Sequence, residues 1–124
     1  MALDLSTFNP QTAQELASAI TGEISTMGKK WWETNKTDVE GYVRSLAEAS
    51  VQTTTALAEG RIKADQAQMI FQMQKTAYQN TLHFTKFMTL VLGQKVLDRT
   101  FQIIGAAIMN RTGLNLFPGL AAQG

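Results

Sequence analysis

The sequence predicts an all-α fold, and three observations carry that prediction. Apolar residues recur at steps of three and four over most of the 124-residue chain, the spacing that lines one face of a helix. Helix start and stop signals fall at the ends of those periodic segments. Between Ala64 and Asn110 there is no Pro and only two Gly, Gly93 and Gly105. The expected architecture is a helical hairpin followed by a long third helix, in one domain spanning residues 1–124.

Residues 1–9 read as a short extended arm. Asn9-Pro10 offers a cap and a first-turn proline whose missing N–H had no partner anyway. Ala13, Leu16, Ala17, Ile20, Ile24, Met27 and Trp31 then form one stripe on a helix over 10–33. Gly22 and Gly28 each weaken it by about 1 kcal/mol relative to Ala. Residues 33–36 read as a connector. Thr37-Asp38-Val39-Glu40 fits a capping box, starting a second helix over 38–59. Val39, Tyr42, Val43, Leu46, Ala49, Ala56 and Leu57 face inward. The tract Thr53-Thr54-Thr55 is poor helix material, so packing must hold that last turn. Gly60 is placed to end the helix in a left-handed conformation.

The third segment, 64–111, ends at Arg111 and Gly113, with Leu114 positioned for the apolar contact of a glycine cap. Unbroken, it would be about 70 Å long, whereas a globule of this chain length is roughly 35 Å across. Either it breaks near Gly93 and the chain closes into a compact four-helix arrangement, or it stays whole and is covered by other chains. The whole helix is the expectation. Between Leu82 and Leu92 the apolar residues point almost all round the axis, which requires burial on every side. From Val96 onward Leu97, Phe101, Ile104 and Ile108 form a stripe flanked by Val96 and Ile103. The tail, 112–124, is apolar for a terminus and should dock on its own fold or on a neighbour.

Composition narrows the chemistry. Eleven basic and ten acidic residues give a net charge of +1, and the only basic doublet is Lys29-Lys30, so nucleic acid is not an expected partner. There is no Cys, hence no disulfide framework and no thiolate metal site. The start lacks the basic and apolar runs of a secretory signal. Lys86, Lys95, Asp98 and Arg99 interrupt the most apolar stretch, which argues against a conventional spanning helix. The compartment is not legible.

No residue set suggests catalysis. His83 is the sole histidine, and the Glu-x-x-His pairs of a bundle metal site are missing. No enzyme activity, cofactor, metal or small-molecule substrate is expected. Trp31-Trp32 beside Lys29-Lys30 could anchor a partner or lipid headgroups, although adjacent helical residues point about 100° apart and form no single platform. The Met residues fit irregular core packing better than an adaptable groove.

The expected function is therefore that of a non-catalytic structural subunit in a helical homo-oligomeric assembly, such as a virion, secretion-apparatus or filament-like component. Its partners are other copies of itself. The self-association residues are Phe84, Phe87, Met88, Leu90, Val91, Leu92, Leu97, Phe101, Ile104, Ile108, Leu116 and Phe117. Two alternatives stand beside it: a membrane-active or membrane-surface helical protein, with lipid as partner, and a compact helical adaptor or chaperone.

Overall fold

Thr12, rather than Asn9, starts the first helix. Its hydroxyl accepts the N–H of Glu15 at 3.1 Å, and Thr12-Ala13-Gln14-Glu15 is the threonine–glutamate spacing of a capping box. The computed structural model describes residues 3–117, and α1 runs Ala13–Ile24. It stops well short of residue 33. Ser25 and Thr26 turn their hydroxyls onto the carbonyls of Gly22 and Glu23. Gly28 then lets the chain pass close to α4: a Cβ there would lie 2.8 Å from Leu92 Cδ2.

The second helix, α2 (Lys29–Ala58), runs through the expected connector and through Thr37, so the capping box at Thr37–Glu40 does not form. The physical reason sits at Asn35. Its side-chain amide donates to the carbonyls of Trp31 and Lys86, both at 2.8 Å, and its oxygen accepts the Lys86 N–H at 3.2 Å. A residue that disfavours helix interiors in isolation is kept helical by a tertiary partner 51 residues away. The buried face then continues in step through Val39, Val43, Leu46, Ser50, Thr54 and Leu57, while Tyr42 is exposed. Thr53 and Thr54 are buried, bonding back to the carbonyls of Ala49 and Ser50. Gly60 has φ +74°, as expected of a left-handed helix end.

The continuous third helix is not formed. It is divided into α3 (Ala64–His83) and α4 (Leu90–Thr112), with the break at 84–89 and not at Gly93, which is buried inside α4. Three side chains make the corner. Thr85 Oγ1 donates to the Leu82 carbonyl at 2.6 Å and accepts Trp31 Nε1–H at 2.8 Å. Asn35 holds both backbone groups of Lys86. Thr89 caps α4 by accepting the Leu92 N–H at 3.0 Å. At the far end Gly113, at φ +78°, ends α4, but Leu114 stays exposed; Leu116 and Phe117 are what pack against the core.

Arg111 bonds Thr55 and Asn35 bonds Lys86, so α2 and α4 run the same way. Glu23 at the end of α1 meets Arg99, while Leu5 and Phe8 ahead of its start meet Asn110 near the end of α4, which sets α1 antiparallel to α4. The two central helices touch each other, with α1 and α3 on opposite flanks and out of contact. Leu16, Ile20, Val43, Phe71, Leu82 and Ile104 fill the space between them. The arm is anchored rather than loose: the Asn110 amide donates to the Leu5 and Phe8 carbonyls at 3.0 and 2.6 Å. The tail beyond Phe117 lies outside the described residues.

Gly41 and Gly93 both sit inside helices with room for a methyl group: nothing lies within 4 Å of a Cβ at Gly41, and at Gly93 the nearest atom is Met88 Sδ at 3.4 Å. Replacing Gly41 with Ala should raise stability by about 1 kcal/mol, and Gly93→Ala by somewhat less. Denaturant unfolding checks both; a loss at Gly93 would mean that the chain turns there after all.

Tyr78 shows how the core handles a polar group. Thr100 commits its proton to the Val96 carbonyl at 2.7 Å, so the Tyr78 hydroxyl is the donor in its 3.1 Å bond to Thr100 Oγ1. Burial pushes the phenol from its ordinary 10.0 up to about 12, against a small lowering from Thr100. The folded state thus holds this proton more tightly than the unfolded chain. Its contribution to stability is complete below pH 10 and disappears as pH rises through about 12. Tyr78→Phe should cost about 1 kcal/mol at neutral pH and move the alkaline unfolding limb to higher pH, read by circular dichroism across a pH titration.

Candidate docking surface at the α3–α4 corner

The twelve residues expected to bind other copies separate into two groups. Leu97, Phe101, Ile104, Ile108 and Leu116 are buried within this chain's own core. Phe117 joins them edge-on, its ring 5.6 Å from Phe101 and 5.7 Å from Phe71. Met88 and Leu92 pack partly against the core. The remaining four lie outside it: Phe84 is 90% exposed, Leu90 82%, Val91 68% and Phe87 50%. The stretch expected to be one continuous helix is instead folded into a corner, with four of its seven apolar residues exposed on the single chain.

That corner is pinned by side-chain hydrogen bonds from α2. Trp31, 1% exposed, holds Thr85 through its indole N–H, and Asn35 holds Lys86. Phe87 adopts φ +66°, a left-handed conformation that a bulky side chain rarely takes and that stores strain. Lys30 Nζ lies over its ring, 4.3 Å from the centroid, a cation–π contact. Trp32 is half-buried, its ring 6.1 Å from that of Trp31 at a tilt of 52°. The tryptophan pair is thus divided: Trp31 builds the core and the corner, and only Trp32 reaches the surface. The sequence reading missed Asn35 and Thr85; the available signal was the pair of threonines, Thr85 and Thr89, four residues apart in an otherwise apolar stretch.

A second apolar area lies on the outer face of α3, where Met69 and Met73 are about two-thirds exposed. With Gln72, Thr76, Ala77 and Asn80 they line an open groove of about 550 Å³ that carries no charged side chain. A third hollow, about 360 Å³, is lined by Leu5, Gly105, Met109 and Phe117 near the chain's own tail.

His83 is exposed at the end of α3. Among the described residues no three His, Asp or Glu side chains converge as a metal site, and no helix is long and apolar enough to cross a membrane. The ion pair between Arg99 and Glu23, with Arg99 also bonded to Gln102, fastens α4 to α1. Compared with protein-family models, with curated proteins and with solved structures, the chain matches none.

Proposed function

We propose that this chain is a non-catalytic structural subunit that associates side by side with further copies of itself, through the outer face of α3. The observation that carries this reading is the uncharged, methionine-bearing face that the chain's own fold leaves uncovered. Met69, Met73, Thr76 and Asn80 follow one another at steps of four, three and four, the spacing of a coiled-coil seam. A twofold contact brings the same patch of each subunit together, so a groove lined by no charged side chain meets its copy without like-charge repulsion. Methionine adapts to such a contact more readily than a branched side chain. The length mismatch that first argued for neighbours does not exist in the folded chain, and the proposal rests on the surface alone. A twofold contact by itself closes at two copies, so a role in a virion, secretion apparatus or filament would require a second contact surface besides this one.

Sedimentation across a range of protein concentrations tests it. The wild-type chain should shift from monomer to a larger species. Met69→Glu with Met73→Glu should move the midpoint of that shift by about tenfold or more in concentration, because two carboxylates would have to be desolvated against their own copies. Both positions are solvent-facing, so the helical circular dichroism should be unchanged. A chain that stays monomeric at every concentration overturns the proposal and favours a compact adaptor for a different protein.

A further inference from the structure

The corner between α3 and α4 has properties that the α3 face lacks, and they select a different occupant. Four apolar side chains project from a short, pinned turn at one pole of the bundle: Phe84, Phe87, Leu90 and Val91, half to nine-tenths exposed. The two segments that build this pole, 25–32 and 84–95, contain four lysines and no Asp or Glu. Lys86 lies within the turn between Phe84 and Phe87. Lys95 stands one helical turn beyond Val91, and Lys29 and Lys30 begin α2, with Lys30 against the Phe87 ring. Three carboxylates border it: Glu33, one turn into α2, Asp98, which accepts the Gln94 amide at 2.7 Å one turn further along α4, and Glu23, which is taken up by Arg99.

We infer that this pole is an anchor for an anionic lipid surface, with the phenylalanine and aliphatic side chains entering the interface and the lysines meeting the phosphates. Charge decides among occupants. A second copy docking pole to pole would set lysines against lysines, whereas an anionic bilayer complements them. Nucleic acid would use the lysines but would leave Leu90 and Val91 without a role, since base recognition at such a site relies on stacking rings. Lipid uses both sets. Lysine stems also lie along apolar surface while their ammonium groups stay in water, the arrangement suited to a headgroup layer.

The backbone supports the same reading. A bulky residue held at φ +66° persists only where its surroundings overdetermine it, and such strain gathers where a surface acts on something else. Trp31, Asn35 and Thr85 supply that determination. The loop is therefore already arranged for insertion, and little ordering remains to be done on binding. This inference does not require self-association, because a single bundle presents the whole pole; in a side-by-side assembly of parallel copies the poles would share one side.

Flotation with vesicles tests it directly. The wild-type protein should float with vesicles of equal parts phosphatidylcholine and phosphatidylglycerol in about 0.1 M salt, where the screening length is about 10 Å, and should bind vesicles of phosphatidylcholine alone far more weakly. Phe84→Ser with Leu90→Ser should lower partitioning by about tenfold or more, two large apolar groups having been removed from the interface. Lys29→Gln with Lys86→Gln, which alters no core side chain, should abolish the preference for the anionic vesicles. Circular dichroism on both variants establishes that the bundle is intact. Failure of the wild type to bind the anionic vesicles, equal binding to neutral ones, or undiminished binding by the Phe84/Leu90 variant each overturns the assignment.

Discussion

Replacing Trp31 with Ala should destabilise the protein by about 3–5 kcal/mol, the range for emptying a buried aromatic site. Trp31 is 1% exposed, and it ties the first turn of α2 to the corner between α3 and α4 through Thr85. Its loss also leaves the Thr85 hydroxyl without its indole donor. The corner should then open locally as well as weaken globally, so trypsin should cut after Lys86 faster in the variant under native conditions. Trp31→Phe separates the two contributions. It retains most of the ring volume and removes the hydrogen bond, for an expected loss of about 1–2 kcal/mol. Chemical denaturation followed by far-ultraviolet circular dichroism measures both variants. Equal losses for Ala and Phe would mean that the hydrogen bond, rather than the packing, holds the corner.

Phe101→Ala should have an effect of the same size, about 3–5 kcal/mol, for a different reason. Phe101 is wholly buried, with Tyr78 and Phe117 set edge-on at 6.2 and 5.6 Å. Shortening it removes the surface on which the end of the described chain docks, so Phe117 loses one of its two ring partners. The sequence pattern assigned Phe101 to contacts between copies. Its position assigns it to folding, and the two assignments give different results: loss of an interface residue would change the oligomeric state and abolish the dependence of the unfolding midpoint on protein concentration, whereas loss of a core residue lowers the midpoint at every concentration. Unfolding curves at two protein concentrations distinguish them.

The two proposed partners differ because charge is distributed unevenly over a nearly neutral chain. The groove on α3 from Met69 to Asn80 is lined by no charged side chain, the basis for the proposed contact with a second copy. The α3–α4 pole has lysines and no carboxylate within its two segments, and suits an anionic surface. Neither distinction is visible in the net charge of +1; it appears only when residues far apart in the chain are brought to the same place.

What the sequence by itself determined was the helical class and the inward-facing residues Leu16, Ile20, Ile24 and Trp31; it also found the stripe of Leu97, Phe101, Ile104 and Ile108, but assigned to contacts between copies what the fold buries in its own core. It also determined the left-handed helix ends at Gly60 and Gly113. These follow from periodicity and from glycine's freedom at positive φ, which are local properties. Only the tertiary structure decided where the chain turns. Residues 33–36 look like a connector and became helix, because Asn35 found the backbone of Lys86; residues 84–89 look like helix and became a corner, because Thr85 and Lys86 found Trp31 and Asn35. Each segment's local preference was overridden by hydrogen bonds to the other, across about fifty residues of intervening chain. A pairing of that kind leaves no periodic trace in either segment. For the same reason the corner's phenylalanines read in the sequence as part of a helix apolar all round, and in the fold they project from a turn.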